Sequence, residues 1–318
     1  MYYQYPIIFL FFMGAMLLYF RLAERYRIID RPNERSSHTR STIRGGGMVF
    51  VLAILLAWLL GQASWALALG ILLVGGVSLL DDILPLHQLP RIAAHFLATA
   101  LLLLDLGQGA SLGAWIPLLF FMLIGWTNLF NFMDGINGIT VLYALVALGS
   151  FALVPEMAGD RELLILLSMA ALAFAWFNVR KKARCFAGDV GSVSMAMVLG
   201  YLMIKVIFLT GNPAYLFFFT LYGLDAVITL LLRLLRRENI FQPHRTHLYQ
   251  YLANEAGIPH VRVSLAYAGL QLLINGIWLY GIGLESFRWL SVTVFVLLVV
   301  PGYLGFRNRL IKKNVKNF

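Results

Sequence analysis

The chain has little charge and almost no cysteine. Its 318 residues include one cysteine, Cys185, so no disulfide can form within the chain and no thiolate cluster can hold a metal. Only 13% of the residues are charged, which excludes a disordered chain or a coiled coil, since both need far more charge. What is present is 60% hydrophobic, with a mean hydropathy of +0.80, whereas soluble domains are about 45 to 50% apolar. This composition predicts a membrane protein held together by helix packing.

Eleven apolar runs are candidates for membrane-spanning helices, each of which needs roughly 20 mostly apolar residues. The fold class predicted is therefore all-α: a polytopic integral membrane bundle of about eleven transmembrane helices, forming one domain over residues 1–318. The first run ends without a small-residue cleavage site, so it is predicted to be a retained helix and not a removed signal. The runs lie at about 5–21, 46–62, 65–80, 91–106, 114–130, 138–154, 163–178, 192–209, 214–233, 263–283 and 288–306.

The basic residues are distributed unevenly between the connections. If the connections alternate between two sides, one side carries 22 of the 25 lysines and arginines, and the positive-inside rule makes that side cytoplasmic. The N-terminus is then outside and the C-terminus is cytoplasmic. The net charge of +10 reports this topology and requires no nucleic-acid partner. Because the cytoplasmic connections are also the longer ones, we expect function on that face.

The first cytoplasmic loop is rich in arginine and ends in three glycines. Arginine offers forked donors to phosphate, and glycines let backbone N–H groups approach an anion at a helix N-terminus. For most of the seven arginines from Arg21 to Arg44, contact with lipid headgroups is the better interpretation. For Arg44 with Gly45–Gly47 we favour a phosphate-facing role.

Polar residues also stand where apolar runs reach the cytoplasm. Asp81 and Asp82 end the third run, where the helix dipole disfavours anions, so function is favoured over a pair of solvated acids. Asn128, Asn131 and Asp134 recur at a spacing of three and could hold a hydrated divalent cation or a nucleotide sugar. A simple turn explains Asp134 and the glycines after it, but not the two asparagines.

Two further constellations follow along the chain. Asp189, set between glycines at the start of an apolar run, is either a helix N-cap or a Mg²⁺ ligand, and the neighbouring acids favour the ligand. His244, Arg245 and His247 could clamp a diphosphate, with a solvated hairpin as the alternative. A zinc site here would need a third ligand, for which His38 is the candidate.

Taken in order, these blocks resemble the motifs of the polyprenyl-phosphate N-acetylhexosamine-1-phosphate transferases. That superfamily includes phospho-N-acetylmuramoyl-pentapeptide translocase and the UDP-GlcNAc:undecaprenyl-phosphate transferases. Each block is weak alone, but five in the family's order, over roughly residues 30–250, are a specific signal. The blocks are Arg35-Ser-Ser-His38 with Gly45–Gly47, Asp81-Asp82, Asn128 to Gly138, Phe186 to Ser192, and His244-Arg-x-His247.

The resemblance implies an enzyme of the bacterial inner membrane. Undecaprenyl phosphate would attack the β-phosphate of a UDP-N-acetylhexosamine on the cytoplasmic face, releasing UMP and a lipid diphosphate-sugar. The reaction would need Mg²⁺, or Mn²⁺ in its place. Because His-Arg-x-His replaces the triple histidine typical of the muramoyl-pentapeptide enzymes, the favoured branch starts O-antigen, capsule or a related surface glycan. The sequence leaves homodimer formation open.

The resemblance also implies roles for individual residues. Asp189 would bind the metal together with Asp82, and Asp81 or Asp82 would deprotonate the lipid phosphate. Asp225 matches a further family acid, but we expect it to anchor the helix bundle. Catalytic roles would fall on Asp81, Asp82, Asp134, Asp189, His244 and His247, and substrate binding on Arg35, His38, Arg44, Asn128, Asn131, Asn137, Asn178 and Arg245.

Two departures and one rival interpretation accompany the resemblance. Asn137 stands where many members have a second aspartate, and Arg-Lys-Lys after Asn178 replaces a Pro-Ala and makes that segment one residue longer. The alternative function is a transporter of lipid-linked sugars or small molecules. Transporters, however, place ionisable groups near the membrane midplane in broken helices, whereas the acids here cluster at cytoplasmic helix ends.

Overall fold

The computed structural model describes residues 4–32, 40–109, 112–239, 244–281 and 293–315. Its regular structure is almost entirely helical, with one short antiparallel ribbon of β1 (Ile29–Asp30) and β2 (Thr42–Ile43). Short 3₁₀ helices cover Gly113–Trp115, Pro155–Asp160 and Pro213–Phe219, and π-helical turns cover Tyr251–Glu255 and Phe295–Val299. The α-helices are α1 Gln4–Arg25, α2 Met48–Leu59, α3 Trp65–Ile83, α4 Gln88–Gly109, α5 Ile116–Phe132, α6 Ile139–Ala152, α7 Arg161–Asn178, α8 Gly188–Thr210, α9 Thr220–Leu235, α10 Leu248–Gln250, α11 His260–Gly281 and α12 Val300–Val315.

The helices confirm a polytopic all-α membrane protein. Within the described ranges, seven helices are long and apolar enough to cross a bilayer, or eight if α6 and the segment Pro155–Asn178, bent by 113°, form one broken span. Each of the first ten predicted runs overlaps a described helix, and the eleventh overlaps residues 293–306. Helix α2, at 12 residues, is only about 18 Å long, short of a hydrocarbon core of about 30 Å. The count of eleven spans and the sidedness of the termini stay predictions.

Helix α8 is the centre of the bundle. Every residue from Val190 to Ile204 is buried, because the helix is apolar on all sides and is surrounded by α2, α3, α5 and α6. Small residues in it allow close approach, as at Ser194, whose hydroxyl lies against Gly75 of α3. The helix ends at Gly211, which takes the left-handed conformation with a φ of +64°. The central position of α8 places Asp189, at its start, among the ends of the surrounding helices.

Connections that were assigned to one side of the membrane meet at one end of the bundle. The Gly46 N–H donates to the Phe186 carbonyl at 2.9 Å, which joins the first loop to the segment before α8. The Tyr249 hydroxyl donates to the Phe132 carbonyl at 3.0 Å, which joins the histidine loop, defined as residues 244–251, to the end of α5. All five motif blocks therefore have members at this end.

The opposite end holds a separate polar cavity of about 430 Å³. There Lys205 of α8 pairs with Asp160 at 2.6 Å, and the Tyr201 hydroxyl donates to Asp105 at 2.6 Å. The charge of Lys205, which lies within the apolar run at 192–209, is thus balanced by Asp160 near the end of α8. By helical rise, about 24 Å of α8 separates Lys205 from Asp189.

Candidate active site

Asp82 joins the end of α3 to the start of α8. Its two carboxylate oxygens accept the backbone N–H groups of Asp189 and Val190, at 3.0 and 3.1 Å. The Arg44 Nε lies 2.6 Å from the same carboxylate, whose side chain has no exposed surface. Asp82 therefore caps α8 from a neighbouring helix, where the N–H groups of a first helical turn attract an anion.

Asp189 is more exposed and lies between two arginines. Its oxygens are 3.4 Å from Nη2 of Arg44 and 3.8 Å from Nη2 of Arg91. Arg91 also pairs with Asp81 at 3.2 Å, and Asp81 accepts the Leu86 N–H at 2.7 Å. The site therefore holds three carboxylates and two guanidinium groups, with a net charge of −1; these are Asp81, Asp82, Asp189, Arg44 and Arg91. This negative charge favours the binding of a cation beside an anionic substrate.

Glycines bring the first loop directly onto α8. A Cβ atom on Gly47 would lie 2.2 Å from the Cα of Gly191, so the two backbones touch. The N–H groups of Gly46 and Gly47 donate to the carbonyls of residues 186–187, at 2.9 and 3.0 Å. The expectation that these two N–H groups face an anion is wrong, because backbone carbonyls occupy them. The close approach instead brings Arg44 to its carboxylate partners.

The end of α5 contributes an asparagine and an aspartate to this group. Asn131 accepts a short hydrogen bond from the Ser192 hydroxyl, one turn into α8. Asp134 accepts a short hydrogen bond from Thr140. Burial, together with the nearby charge of Asp189, raises the pKa of Asp134 to about 6, against the opposing effect of the hydrogen bond from Thr140. Asp134 is thus an acid that titrates close to neutral pH.

The other asparagines of the predicted set have different surroundings. Asn128 is exposed, with its amide donating to the Ile124 carbonyl of its own helix. Asn178 is buried, and its side chain accepts the Gly138 N–H at 2.7 Å and donates to the Cys185 carbonyl at 2.8 Å. Both polar atoms of Asn178 thus hold backbone, which makes it a positioning group in this structure. Its predicted contact with substrate stays a prediction.

Asn137 is also buried and likewise engages backbone. Its amide donates to the Arg180 carbonyl at 2.9 Å, and its own carbonyl accepts the Ser264 hydroxyl at 2.8 Å. This residue ties the turn before α6 to the basic segment after α7 and to α11. Asn137, which stands where many members of the resembled family have a second aspartate, therefore makes a structural contact.

The histidine loop begins beside the end of α5. The Nδ1 atom of His244 lies 2.8 Å from Nη1 of Arg233, and the His244 ring is in edge contact with Phe132 at 6.0 Å. Arg245, next in the chain, is half-buried. His247 is 2% exposed, and its ring stands 4.9 Å from that of His244. His244, and with it the ring of His247, therefore lies next to the end of the helix that carries Asn128 and Asn131.

Asp225 fixes the other end of this loop. Its fully buried carboxylate accepts the N–H groups of Leu248 and Tyr249, at 2.8 and 3.2 Å, and the hydroxyl of Tyr267 at 2.7 Å. The Nδ1 atom of His247 lies 3.4 Å from the same carboxylate. The expectation that Asp225 anchors the bundle is confirmed, since one carboxylate caps α10 and holds α11.

The donor set is consistent with magnesium but not with a closed metal cage. Among the described residues, no three histidine, cysteine, aspartate or glutamate side chains lie together in a group that could enclose a metal. Mg²⁺ needs only one or two carboxylates with substrate phosphate oxygens, and the side chain of Asp189, 24% exposed, meets that need. Asp82 has both oxygens engaged by N–H donors and Arg44, so it fits a metal less well.

Some residues fall outside this picture or were not anticipated. Two predicted substrate-binding residues, Arg35 and His38, lie outside the described residues. The zinc alternative, which depends on His38, is therefore not tested. Sequence reasoning did not include Arg91 or Thr140 among the site residues. The signal for Arg91 was its place at the start of an apolar run, nine residues after Asp82.

Comparison with known proteins supports the resemblance to the sugar-1-phosphate transferases. The family model described as glycosyl transferase family 4 matches residues 64–207. A probable undecaprenyl-phosphate N-acetylglucosaminyl 1-phosphate transferase of Bacillus subtilis is 24% identical over 311 residues, covering 88% of this chain and 84% of that protein. An undecaprenyl-phosphate alpha-N-acetylglucosaminyl 1-phosphate transferase of Thermotoga maritima is 26% identical over 255 residues, covering 78% and 79%.

A third relative belongs to the other branch of the resemblance. A phospho-N-acetylmuramoyl-pentapeptide-transferase of Thermotoga neapolitana is 30% identical over 193 residues, covering 55% of this chain and 62% of that protein. The stretch matched by the family model contains Asp82, Asp134 and Asp189, which the fold assembles at one end of a membrane helix bundle. On these grounds the chain is similar to glycosyl transferase family 4 over residues 64–207, and to relatives of both branches beyond that stretch.

Proposed function

We propose that this protein transfers an N-acetylhexosamine 1-phosphate from a UDP-sugar to undecaprenyl phosphate, releasing UMP. The observation that carries the proposal is the meeting of Asp82, Arg44 and Asp189 at the start of α8, next to Asn131 and Asp134. N-acetylglucosamine is the first sugar to test, because two relatives are named for it. We place the reaction at the cytoplasmic face of a bacterial inner membrane, where the positive-inside rule puts these loops. The product would start a surface glycan.

The electrostatics of the site suit this reaction. An oxygen of the lipid phosphate attacks the β-phosphorus, and the bond from that phosphorus to the bridging oxygen breaks, so UMP leaves with the electron pair. Two unit negative charges 4 Å apart repel by about 4 kcal/mol at an effective dielectric of 20. Arg44 and Arg91 are paired with the site's three acids, whose net charge with the two arginines is −1, so a bound cation would have to offset this repulsion while the arginines orient the phosphates.

Individual residues take distinct parts in this scheme. Mg²⁺, when bound beside Asp189, would neutralise charge on the diphosphate. The carboxylate of Asp134 is poised to accept a proton, because its raised pKa of about 6 lies near that of a phosphate monoester. Asp82 would hold Arg44 and the first turn of α8 in place, and Asp81 would hold Arg91.

An apolar cavity offers a place for the prenyl chain. About 570 Å³ in volume, it is lined by α5, α8 and the segment Pro213–Phe219. Its lining includes Trp126, and by helical rise Asn131 lies about 7.5 Å further along α5 towards the site. The cavity's lining on α8 begins at Gly200, about 17 Å by helical rise from Asp189, so a prenyl chain lying there would have to extend along the bundle for its phosphate to reach the carboxylates.

Turnover by the purified protein tests the proposal. In detergent, UMP should be released from UDP-N-acetylglucosamine only when polyprenyl phosphate and Mg²⁺ are both present. Asp189→Asn should lower the rate by about 10²-fold or more. Asp105→Asn is the matched control, because it makes the same chemical change at the opposite end of the bundle. UMP release that needs no lipid, or full activity in Asp189→Asn, would contradict the scheme.

Two extensions of the assay settle the substrate and the rival function. UDP-N-acetylgalactosamine and other UDP-N-acetylhexosamines, run in parallel, identify the sugar by their relative kcat/KM. Movement of a lipid-linked sugar across vesicles without UMP release would favour the transporter. Replacing Mg²⁺ with Mn²⁺ or a chelator tests the metal.

A further inference from the structure

The helical segment at residues 293–315 lies beyond the stretch that the family model matches. The family model ends at residue 207, and the sequence blocks of the site end at His247. Yet this segment carries Arg307, which is 2% exposed and among the largest fully buried side chains of the protein. Burying a guanidinium group is unfavourable unless it has partners, so its surroundings carry information.

Arg307 is directed at the histidine loop. Its Nη2 donates to the Thr246 carbonyl at 2.8 Å, and its guanidinium carbon lies 5.8 Å from the centre of the Tyr251 ring. Within the described part of the chain, no carboxylate pairs with this arginine. Its partners are therefore a backbone dipole and a ring face, both belonging to the loop that it touches.

A second side chain of the same helix holds the other end of that loop. Tyr303, one turn before Arg307, donates its hydroxyl to Asp225 at 3.0 Å. Asp225 in turn accepts the N–H groups of Leu248 and Tyr249. The two contacts of α12 therefore bracket His247, one on the residue before it and one on the carboxylate that caps the residues after it.

Polar atoms without partners collect at the same place. The Nε2 of His247, the hydroxyl of Thr246 and the Nε of Arg307 are buried and have no hydrogen-bond partner among the described residues. Buried polar groups normally have hydrogen-bond partners, so three unpaired ones in neighbouring residues indicate a place where the partner comes from outside the protein. A substrate phosphate or ordered water would satisfy them.

We propose that Arg307 is a positioning residue of the active site, which holds the Thr246 carbonyl and so fixes His247 for contact with the anionic substrate. It acts through the loop and does not itself touch the reacting atoms. The inference rests on the proposed transferase function, which gives His247 its substrate. It extends the functional site to a helix outside the family's matched stretch.

Substitution at residue 307 gives the first test. Arg307→Met keeps the length of the side chain and removes its donors, and a displacement of the loop by about 1 Å should lower kcat by about 10²-fold. Arg307→Lys should recover part of this loss, because an ammonium group can still donate to the carbonyl. Arg309→Met is the matched control, since Arg309 is exposed on the same helix, and it should retain wild-type kcat.

A double-mutant cycle separates positioning from simple stabilisation. If Arg307 acts through His247, then Arg307→Met should cause little further loss of kcat in a His247→Ala background. Independent, multiplicative losses would overturn the proposal. If Arg307→Met does not fold, the same double-mutant cycle with His247→Ala can be measured with Arg307→Lys or Tyr303→Phe, because each of these variants removes fewer hydrogen-bonding groups.

Amide hydrogen exchange of residues 244–251 tests the positioning role without relying on turnover. Faster exchange in Arg307→Met than in Arg309→Met, confined to that segment, is the expected result whether or not the protein releases UMP. Loosening of the loop in a protein that lacks transferase activity would leave the positioning contact standing and reject the proposed function. Unchanged exchange together with unchanged kcat would reject the positioning role.

Discussion

Replacing Gly47 with alanine tests how tightly the first loop must approach α8. Gly47 has a φ of −70°, which alanine adopts without strain, so the effect is purely steric. The new Cβ would stand 2.2 Å from the Cα of Gly191 and 2.9 Å from the Ala187 carbonyl oxygen. Non-bonded carbons favour separations of about 3.5 to 4.0 Å, so the loop and helix must separate by more than about 1 Å.

This displacement acts on the catalytic group through Arg44, three residues earlier. Arg44 contacts Asp82 at 2.6 Å and Asp189 at 3.4 Å, and a shift of about 1 Å would break or lengthen both contacts. Misplacement on that scale can cost about 10²-fold in rate, equivalent to about 2.7 kcal/mol of activation free energy. Overpacking should also lower the free energy of unfolding by about 1 to 3 kcal/mol.

The assay compares UMP release and thermal unfolding in detergent for Gly47→Ala and a matched glycine variant. Gly76→Ala is the control, because a Cβ on Gly76 of α3 would meet no atom within 4 Å. We expect Gly47→Ala to lose most activity and melt at a lower temperature, with Gly76→Ala unchanged. Wild-type activity and melting temperature in Gly47→Ala, or an equal loss in Gly76→Ala, would refute the reasoning.

Three further predictions concern the polar groups. Because burial raises the pKa of Asp134 from 3.8 to about 6, kcat/KM should rise with pH until about pH 6, and Asp134→Asn should lack this limb. The native state binds this proton more tightly, so the stability contributed by Asp134 should fall as pH rises from 3.8 to 6; a rise would contradict the assignment. Asn178→Ala leaves the Gly138 N–H and the Cys185 carbonyl unpaired and should cost about 1 to 3 kcal/mol in denaturant unfolding, against no loss for exposed Asn128→Ala. Arg44→Lys keeps the charge but cannot reach both carboxylates as a fork, so kcat should fall at least about tenfold, and an unchanged kcat would show that the fork is dispensable.

Much of the fold and part of the site could be predicted from local sequence properties. Apolar run length depends only on neighbouring residues, which is why the run at 192–209 lies within α8 and the run at 65–80 within α3. Charge placement is equally local, and it assigned to one side the loops that meet at one end of the bundle. Residue chemistry pointed to Asp189 as a candidate metal ligand, because the sequence assigns other acids and asparagines to connections on the same side of the membrane.

What depends on contacts between distant residues could be decided only by the tertiary structure. Asp82 caps a helix that begins more than a hundred residues later, and Gly47 touches Gly191 across a similar separation. Sequence reasoning assigned Asn178 to substrate, whereas packing directs both of its polar atoms to backbone, because a buried amide must satisfy its hydrogen bonds wherever the fold supplies them. The proposed positioning role of Arg307 also depends on the fold: by itself a basic residue near a helix end indicates only membrane topology, and it is the burial of Arg307 against the Thr246 carbonyl that connects it to the histidine loop.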